Sequence, residues 1–149
     1  MKLVFALPAI FADYSAGKLN IIGGDFLTLH FPVFPASQMT FALIGRLQLE
    51  DEERGEFYQV RISVTSEAGE PIAPEGVMDI PSGQFTKRIG EEYRTSGMVV
   101  NYQGLTFPEP GVYTFHILDG HLELGKLSIT VQLVDSANTL SATSVSDVV

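Results

Sequence analysis

Few residues in this chain could do chemistry, and their spacing limits what that chemistry could be. Histidine is the natural general base near neutral pH, and there are three, His30, His116 and His121. The Asp119-Gly120 dipeptide between two apolar runs is a hairpin signal of the type I′ kind. Its arithmetic pairs Leu118 with His121, Ile117 with Leu122, His116 with Glu123 and Phe115 with Leu124. A His116–Glu123 pair could orient an imidazole for catalysis or for a metal. The sequence places no third ligand and no nucleophile beside it, so the pair reads as ordinary cross-strand polar chemistry on a solvent face. His30 closes an apolar strand ahead of FPVFP and offers less.

Carboxylates cluster in EDEERGE, residues 50–56, with five in seven positions. Calcium takes about six to eight oxygen ligands, but this run lacks the alternating D-x-D-x-D pattern with its central Gly. A solvated hairpin end that discourages edge-to-edge aggregation is the expectation, with a Ca²⁺ site as the rival that a titration decides. Lys87, Arg88 and Arg94, flanked by Phe85 and Tyr93, form a basic-aromatic cluster that could meet a phosphate or an acidic partner. Glu91 and Glu92 lie between them, so local charge balance on a loop is the preferred reading. Gly17, Gly23 and Gly24 match neither phosphate-binding glycine pattern, and there is no G-x-S-x-G elbow. With no cysteine in the chain, thiolate metal sites and thiol nucleophiles are excluded. The sequence therefore assigns no catalytic, cofactor-binding or metal-ligating residue and implies no cofactor.

The elements that must carry these residues are strands. The chain has 149 residues, a size typical of one domain, and 45% of them are apolar. It holds 13 Val, 10 Ile and 10 Thr, which favour pleated backbone, and 14 Gly and 8 Pro, which punctuate turns. Only 18% of residues are charged, and nine basic against eighteen acidic residues leave a net charge of −9. That balance argues against a nucleic-acid-binding face and against docking on anionic lipid.

Met1-Lys2 followed by LVFALPAIFA can pass for a short signal peptide, but a single Lys and the interrupting Pro8 favour a first strand. No apolar run reaches the length of a transmembrane helix, and a cytoplasmic protein is expected. A hairpin is expected around Ser15-Ala16-Gly17, with Gly23-Gly24 marking a bulge or a close backbone approach. Met39, Phe41, Leu43, Leu47 and Leu49 alternate with Thr40, Ala42, Arg46 and Gln48. Tyr58, Val60, Ile62 and Val64 likewise alternate with Gln59, Arg61, Ser63 and Thr65. Residues 67–96 blur this pattern, and at least one short strand is expected there, near the apolar runs at 77–80 and 85–89. Strands at GMVVNYQGLTF and VYTFHIL flank the turn Pro108-Glu109-Pro110-Gly111. Beyond Asp119-Gly120, Leu127, Ile129, Val131 and Leu133 have the opposite parity to Leu122 and Leu124, so the register must shift, and Gly125 is the natural place for a one-residue bulge. Seven to eight strands imply an all-β, two-sheet antiparallel β-sandwich, immunoglobulin-like or C2-like, over residues 1–134, with a flexible Ser/Thr-rich tail at 135–149.

The segments FADYSAGKLNIIGGDF and NYQGLTFPEPGVYTFHILDGHLELGKLSITV resemble a family of small uncharacterised bacterial proteins. Its marks are an opening A-D-Y…G-K-L-N-I-x-G hairpin and a closing F-P-x-P-G-x-Y-x-F…D-G hairpin. Asp13, Tyr14, Gly17, Lys18, Asn20, Gly23 and Gly24 match the first, and Pro108, Gly111, Tyr113, Phe115, Asp119 and Gly120 the second. The resemblance implies a β-sandwich from a bacterial or phage-related cytosol and carries no established activity.

The leading expectation is a non-enzymatic interaction or structural protein, pairing with another protein or with itself, a homodimer being one form. Its basis is the low charged fraction and runs such as LVFALPAIF that are apolar on both faces, which implies central burial or a covered outer face. The alternative is a small-ligand or carbohydrate-binding sandwich with Phe31, Phe34, Tyr93 and Tyr102 as a platform, weakened by the absence of Trp.

Overall fold

The computed structural model describes residues 1–16, 18–50, 53 and 55–134. These residues are all-β: β1 Lys2–Ser15, β2 Lys18–Gly24, β3 Thr28–Phe31, β4 Ala36–Glu50, β5 Phe57–Thr65, β6 Gly76–Pro81, β7 Thr86–Lys87, β8 Tyr93–Phe107, β9 Gly111–Asp119 and β10 Leu122–Leu133. A single 3-10 turn, Ser82–Gln84, joins β6 to β7. Two five-stranded sheets result, the first in the order β2-β1-β4-β8-β7 and the second β3-β10-β9-β5-β6. The two-sheet expectation holds, but the strand count is ten rather than seven to eight. Nor is the pairing wholly antiparallel, because β3 lies parallel to β10 from Thr28–Thr130 to Phe31–Leu133. The short strands β3, β6 and β7, of four, six and two residues, lie in regions rich in Gly, Pro or charge, where periodicity has too few residues to register.

Alternation builds the core between the sheets. Phe41, Leu43, Leu47 and Leu49 of β4 and Met98, Leu105 and Phe107 of β8 meet Val60, Ile62 and Val64 of β5, Tyr113, Phe115 and Ile117 of β9, and Ile129 and Val131 of β10. Phe41 and Phe115 stack across the two sheets with ring centroids 5.0 Å apart. Met39 belongs to the expected inward set yet is 72% exposed. The pairing of β4 with β8 continues through this point, from Phe41–Tyr102 to Gln38–Leu105. What changes is the facing. Tyr102 packs inward on β8, the next inward residue is Leu105, and Gly104 between them has φ +72°. A left-handed residue at Gly104 turns the pair over, and Met39 loses its place in the core.

The closing hairpin is also displaced from expectation. Asp119 pairs with Leu122, so Gly120 and His121 are the central turn residues. Gly120 has φ +59° and His121 does not share a positive φ, which is the II′ pattern. A type I′ turn would have required Asp119 itself to adopt positive φ, which costs a non-glycine residue more. The shift leaves Leu122 exposed rather than buried. The expected bulge is present, with the ladder stepping between Glu123 and Gly125 and Leu124 as the extra residue. Ile129 and Val131 are thereby returned to the core.

Between residues 67 and 96, β6 covers the 77–80 run and β7 part of 85–89, while β8 begins four residues before the expected GMVV start. The tail at 135–149 lies outside the described residues.

Candidate functional site

The outer face of the first sheet carries the features with most chemical potential, and β1 is what shapes it. Up to Ala9, β1 pairs with β4; beyond it, β1 pairs only with β2. The β1–β2 hairpin then folds as an arm over the outside of its own sheet. Ala9, Ala12, Ala42 and Ile44 are fully buried beneath it, with Leu7, Leu19 and Val99 packed against them. Asn101 Nδ2 donates to the Ala12 carbonyl at 3.0 Å. The small side chains at 9, 12 and 42 are what let a strand pair lie this close to a sheet surface. Gly23 and Gly24 serve close approach and not a bulge: the β1–β2 register is unbroken from Ala9–Gly24 to Ser15–Lys18, and a Cβ at Gly23 would lie 2.8 Å from Ile10 Cγ1.

The arm ends over Gly97, where a side-chain carbon would coincide with the Tyr14 hydroxyl. Gly97 pairs with Arg46 of β4, and Arg46 pairs on its other side with Phe5 of β1. Arg46 therefore lies on the central strand, one position past the residues the arm covers. The far wall is built by Gln84 of the 3-10 turn, Thr86 of β7 and Thr95 of β8, the last two directly paired. Together they enclose a cleft of about 460 Å³. A smaller cleft of about 150 Å³ shares Arg46 and Thr95 and is closed by Arg88, Glu91 and Tyr93. Arg46 is half-buried and forms no hydrogen bond or ion pair among the described residues.

The residues singled out by sequence are placed elsewhere. His116 Nδ1 lies 2.6 Å from Glu123 Oε1, although the directly opposite residue of His116 is Lys126 and the contact runs diagonally. A carboxylate only accepts, so Nδ1 carries a proton, and in the neutral imidazole Nε2 then accepts from Thr65 Oγ1 at 3.1 Å. This hydroxyl–imidazole–carboxylate row spans β5, β9 and β10 and ties their register together. Among the described residues no group of three His, Cys, Asp or Glu could hold a metal. His121 occupies the hairpin turn rather than a place opposite Leu118. His30 lies exposed in β3.

Of the acidic run, residues 51, 52 and 54 lie outside the described residues, so the calcium question there does too. Glu53 accepts from the Met1 amine at both carboxylate oxygens, at 3.0 and 2.8 Å, and from the Glu50 backbone N–H at 3.2 Å. Burial pushes the Glu53 carboxyl up, but the Met1 amine, the Glu50 backbone N–H and the Arg94 charge outweigh it and hold the group below its ordinary value. The basic-aromatic cluster is engaged in local contacts, with Lys87 opposite Arg94 across β7 and β8. Arg94 donates to the Glu53 carbonyl at 3.0 Å, Arg88 lies 4.0 Å from Glu91, and Phe85 is buried against Tyr58.

The expected aromatic platform does not assemble. Phe31 packs on Phe34 and Phe107, Tyr102 on Phe41 and Phe115, and Tyr93 lies at the far end of the first sheet, opposite Glu50. Phe31, Phe34 and Tyr102 are partly buried against the core, whereas Tyr93 lines the smaller cleft beside Arg46. Sequence reading missed Arg46 as a site residue because alternation marks it only as outward-facing; the fold of the arm, which period-two patterning does not encode, supplies its walls.

The fold and this outer face define an all-β, two-sheet protein whose first sheet is partly covered by its own hairpin. The chain belongs to the DUF6941 family, a family of unknown function, which it matches over residues 5–132. No curated protein matches it. Among the described residues, no helix is long and apolar enough to cross a membrane.

Proposed function

We propose that this protein is a non-enzymatic β-sandwich interaction module of the cytoplasm that self-associates through the free edge of β2. The observation that carries the reading is the character of that edge. β2 ends the first sheet, and its only charged residue is Lys18. Ile21 and Ile22 are 43% and 63% exposed, and Phe11, the cross-strand partner of Ile22, is 41% exposed. Open edges present unpaired backbone donors and acceptors, and proteins ordinarily blunt them with short strands, charge or Pro. The other edge strands obey that rule: β3 has four residues, β7 has two, and β6 carries Asp79 and ends on Pro81. β2 does not.

A second copy suits the edge. Antiparallel pairing about a two-fold axis at Ile21 places Ile21 opposite itself, Asn20 opposite Ile22 and Lys18 opposite Gly24, so no like charges meet. Light scattering over a concentration series tests this. A mass rising to twice the 16.2 kDa of one chain is expected, with Ile22→Lys remaining at 16.2 kDa. Ile22 is exposed, so that variant should fold normally. A wild-type chain that stays monomeric at high concentration overturns the reading.

A further inference from the structure

We infer that the cleft around Arg46 is a binding site for a small polyhydroxylated molecule carrying one carboxylate, such as a sugar acid. The inference is independent of β2 edge pairing. It starts from the guanidinium. In a protein where acidic residues outnumber basic ones two to one, eighteen to nine, a half-buried Arg without a partner among the described residues is the exception. The arginines nearby are engaged, Arg88 with Glu91 and Arg94 with the Glu53 carbonyl, as is Arg61 with Glu75 on the second sheet. Leaving a partly desolvated Arg unpaired forgoes its fork of donors, which a bound oxyanion would occupy.

The surroundings narrow the ligand. The cleft volume of about 460 Å³ falls within the range of small-molecule sites. Its walls carry the Tyr14, Thr86 and Thr95 hydroxyls and the Gln84 amide, groups that both donate and accept and so suit a ligand's hydroxyls. Tyr14 adds a half-exposed ring against which a sugar face can lie. One free guanidinium balances one negative charge, and the net charge of −9 opposes a more highly charged anion. A monocarboxylate fits that balance better than a phosphate dianion. Gly97 is part of the site by its lack of a side chain, since any Cβ there would displace Tyr14.

Amide chemical-shift titration of the full chain with sodium glucuronate, acetate, glucose and inorganic phosphate tests the assignment. Glucuronate at millimolar concentration is expected to shift the Thr95, Ser96 and Gly97 amides and the Arg46 Nε–H. Acetate should shift the same set more weakly, phosphate no more than acetate, and glucose not at all. Arg46→Gln should weaken glucuronate about tenfold or more, the value of a charge-assisted hydrogen bond. Gly97→Ala moves only the tip of an exposed Tyr side chain, so it should fold normally and also weaken binding. Absence of glucuronate shifts, shifts that survive Arg46→Gln, or a preference for phosphate would each overturn the inference.

Discussion

Three tyrosines packed on the core show how the same side chain can help or burden it. The Tyr113 hydroxyl donates to the Glu109 carbonyl at 2.6 Å and so pins the turn between β8 and β9. The Tyr58 and Tyr102 hydroxyls are buried without a partner among the described residues, and burial pushes the Tyr102 phenol up to about 12. Removing a satisfied hydroxyl loses a hydrogen bond, whereas removing an orphaned one relieves a desolvation cost. Tyr113→Phe should therefore lower stability by about 1 kcal/mol, and Tyr58→Phe and Tyr102→Phe should each raise it by about 1 kcal/mol, read from urea midpoints at constant slope. All three changing in the same direction would refute the assignment. Glu53 makes a second prediction at this scale. Its folded-state carboxyl is held below the ordinary value of 4.5, so its contribution is complete above that pH and is lost as pH falls through the lower folded-state value. Unfolding free energy measured against pH should decline in that acid window, and Glu53→Gln should flatten part of the decline.

At the level of elements, the sequence showed whatever alternation and turn chemistry could encode. β5 and β9 read true because each keeps one face wet and one dry, and the bulge before Gly125 was visible because two apolar sets of opposite parity cannot share a face without one. Met39 and Leu122 were misplaced by local backbone events, at Gly104 and at the Gly120 turn, that shift parity without changing composition. The doubly apolar LVFALPAIF run signalled burial on both sides, and β1 has both: a place between β2 and β4, and outward residues Leu7 and Ala9 covered by the arm. Part of the covered face inferred from composition is thus covered by the chain itself. A chain beginning at Asp13 lacks most of β1, exposes Ala42 and Ile44, and leaves β4 an open edge. It should show no cooperative thermal transition by circular dichroism, and a stably folded fragment would contradict the central role given to β1.

For the whole molecule, charge and exposed apolar surface oppose one another. Ile22, Leu27, Val33, Met39 and Phe57 are each more than half exposed, while a net charge of −9 keeps copies apart. If repulsion is the brake on β2 edge pairing, weakening it should favour the dimer. Two levers do so: salt, which shortens the Debye length to about 3 Å at 1 M, and acid, which removes net charge as pH nears the isoelectric value of about 4.6. Acid is the poorer experiment because, carried below that pH, it also titrates Glu53 and lowers the stability of the monomer. Salt at neutral pH leaves that ion pair's protonation unchanged, and the half-buried contact of Glu53 with the Met1 amine is screened less than charges spread over the surface. Sedimentation velocity at fixed protein concentration should therefore show the dimer fraction rising with added salt in the wild type, while Ile22→Lys stays monomeric throughout. A dimer fraction that falls with salt would mean that specific ion pairs, and not the apolar edge, hold the copies together.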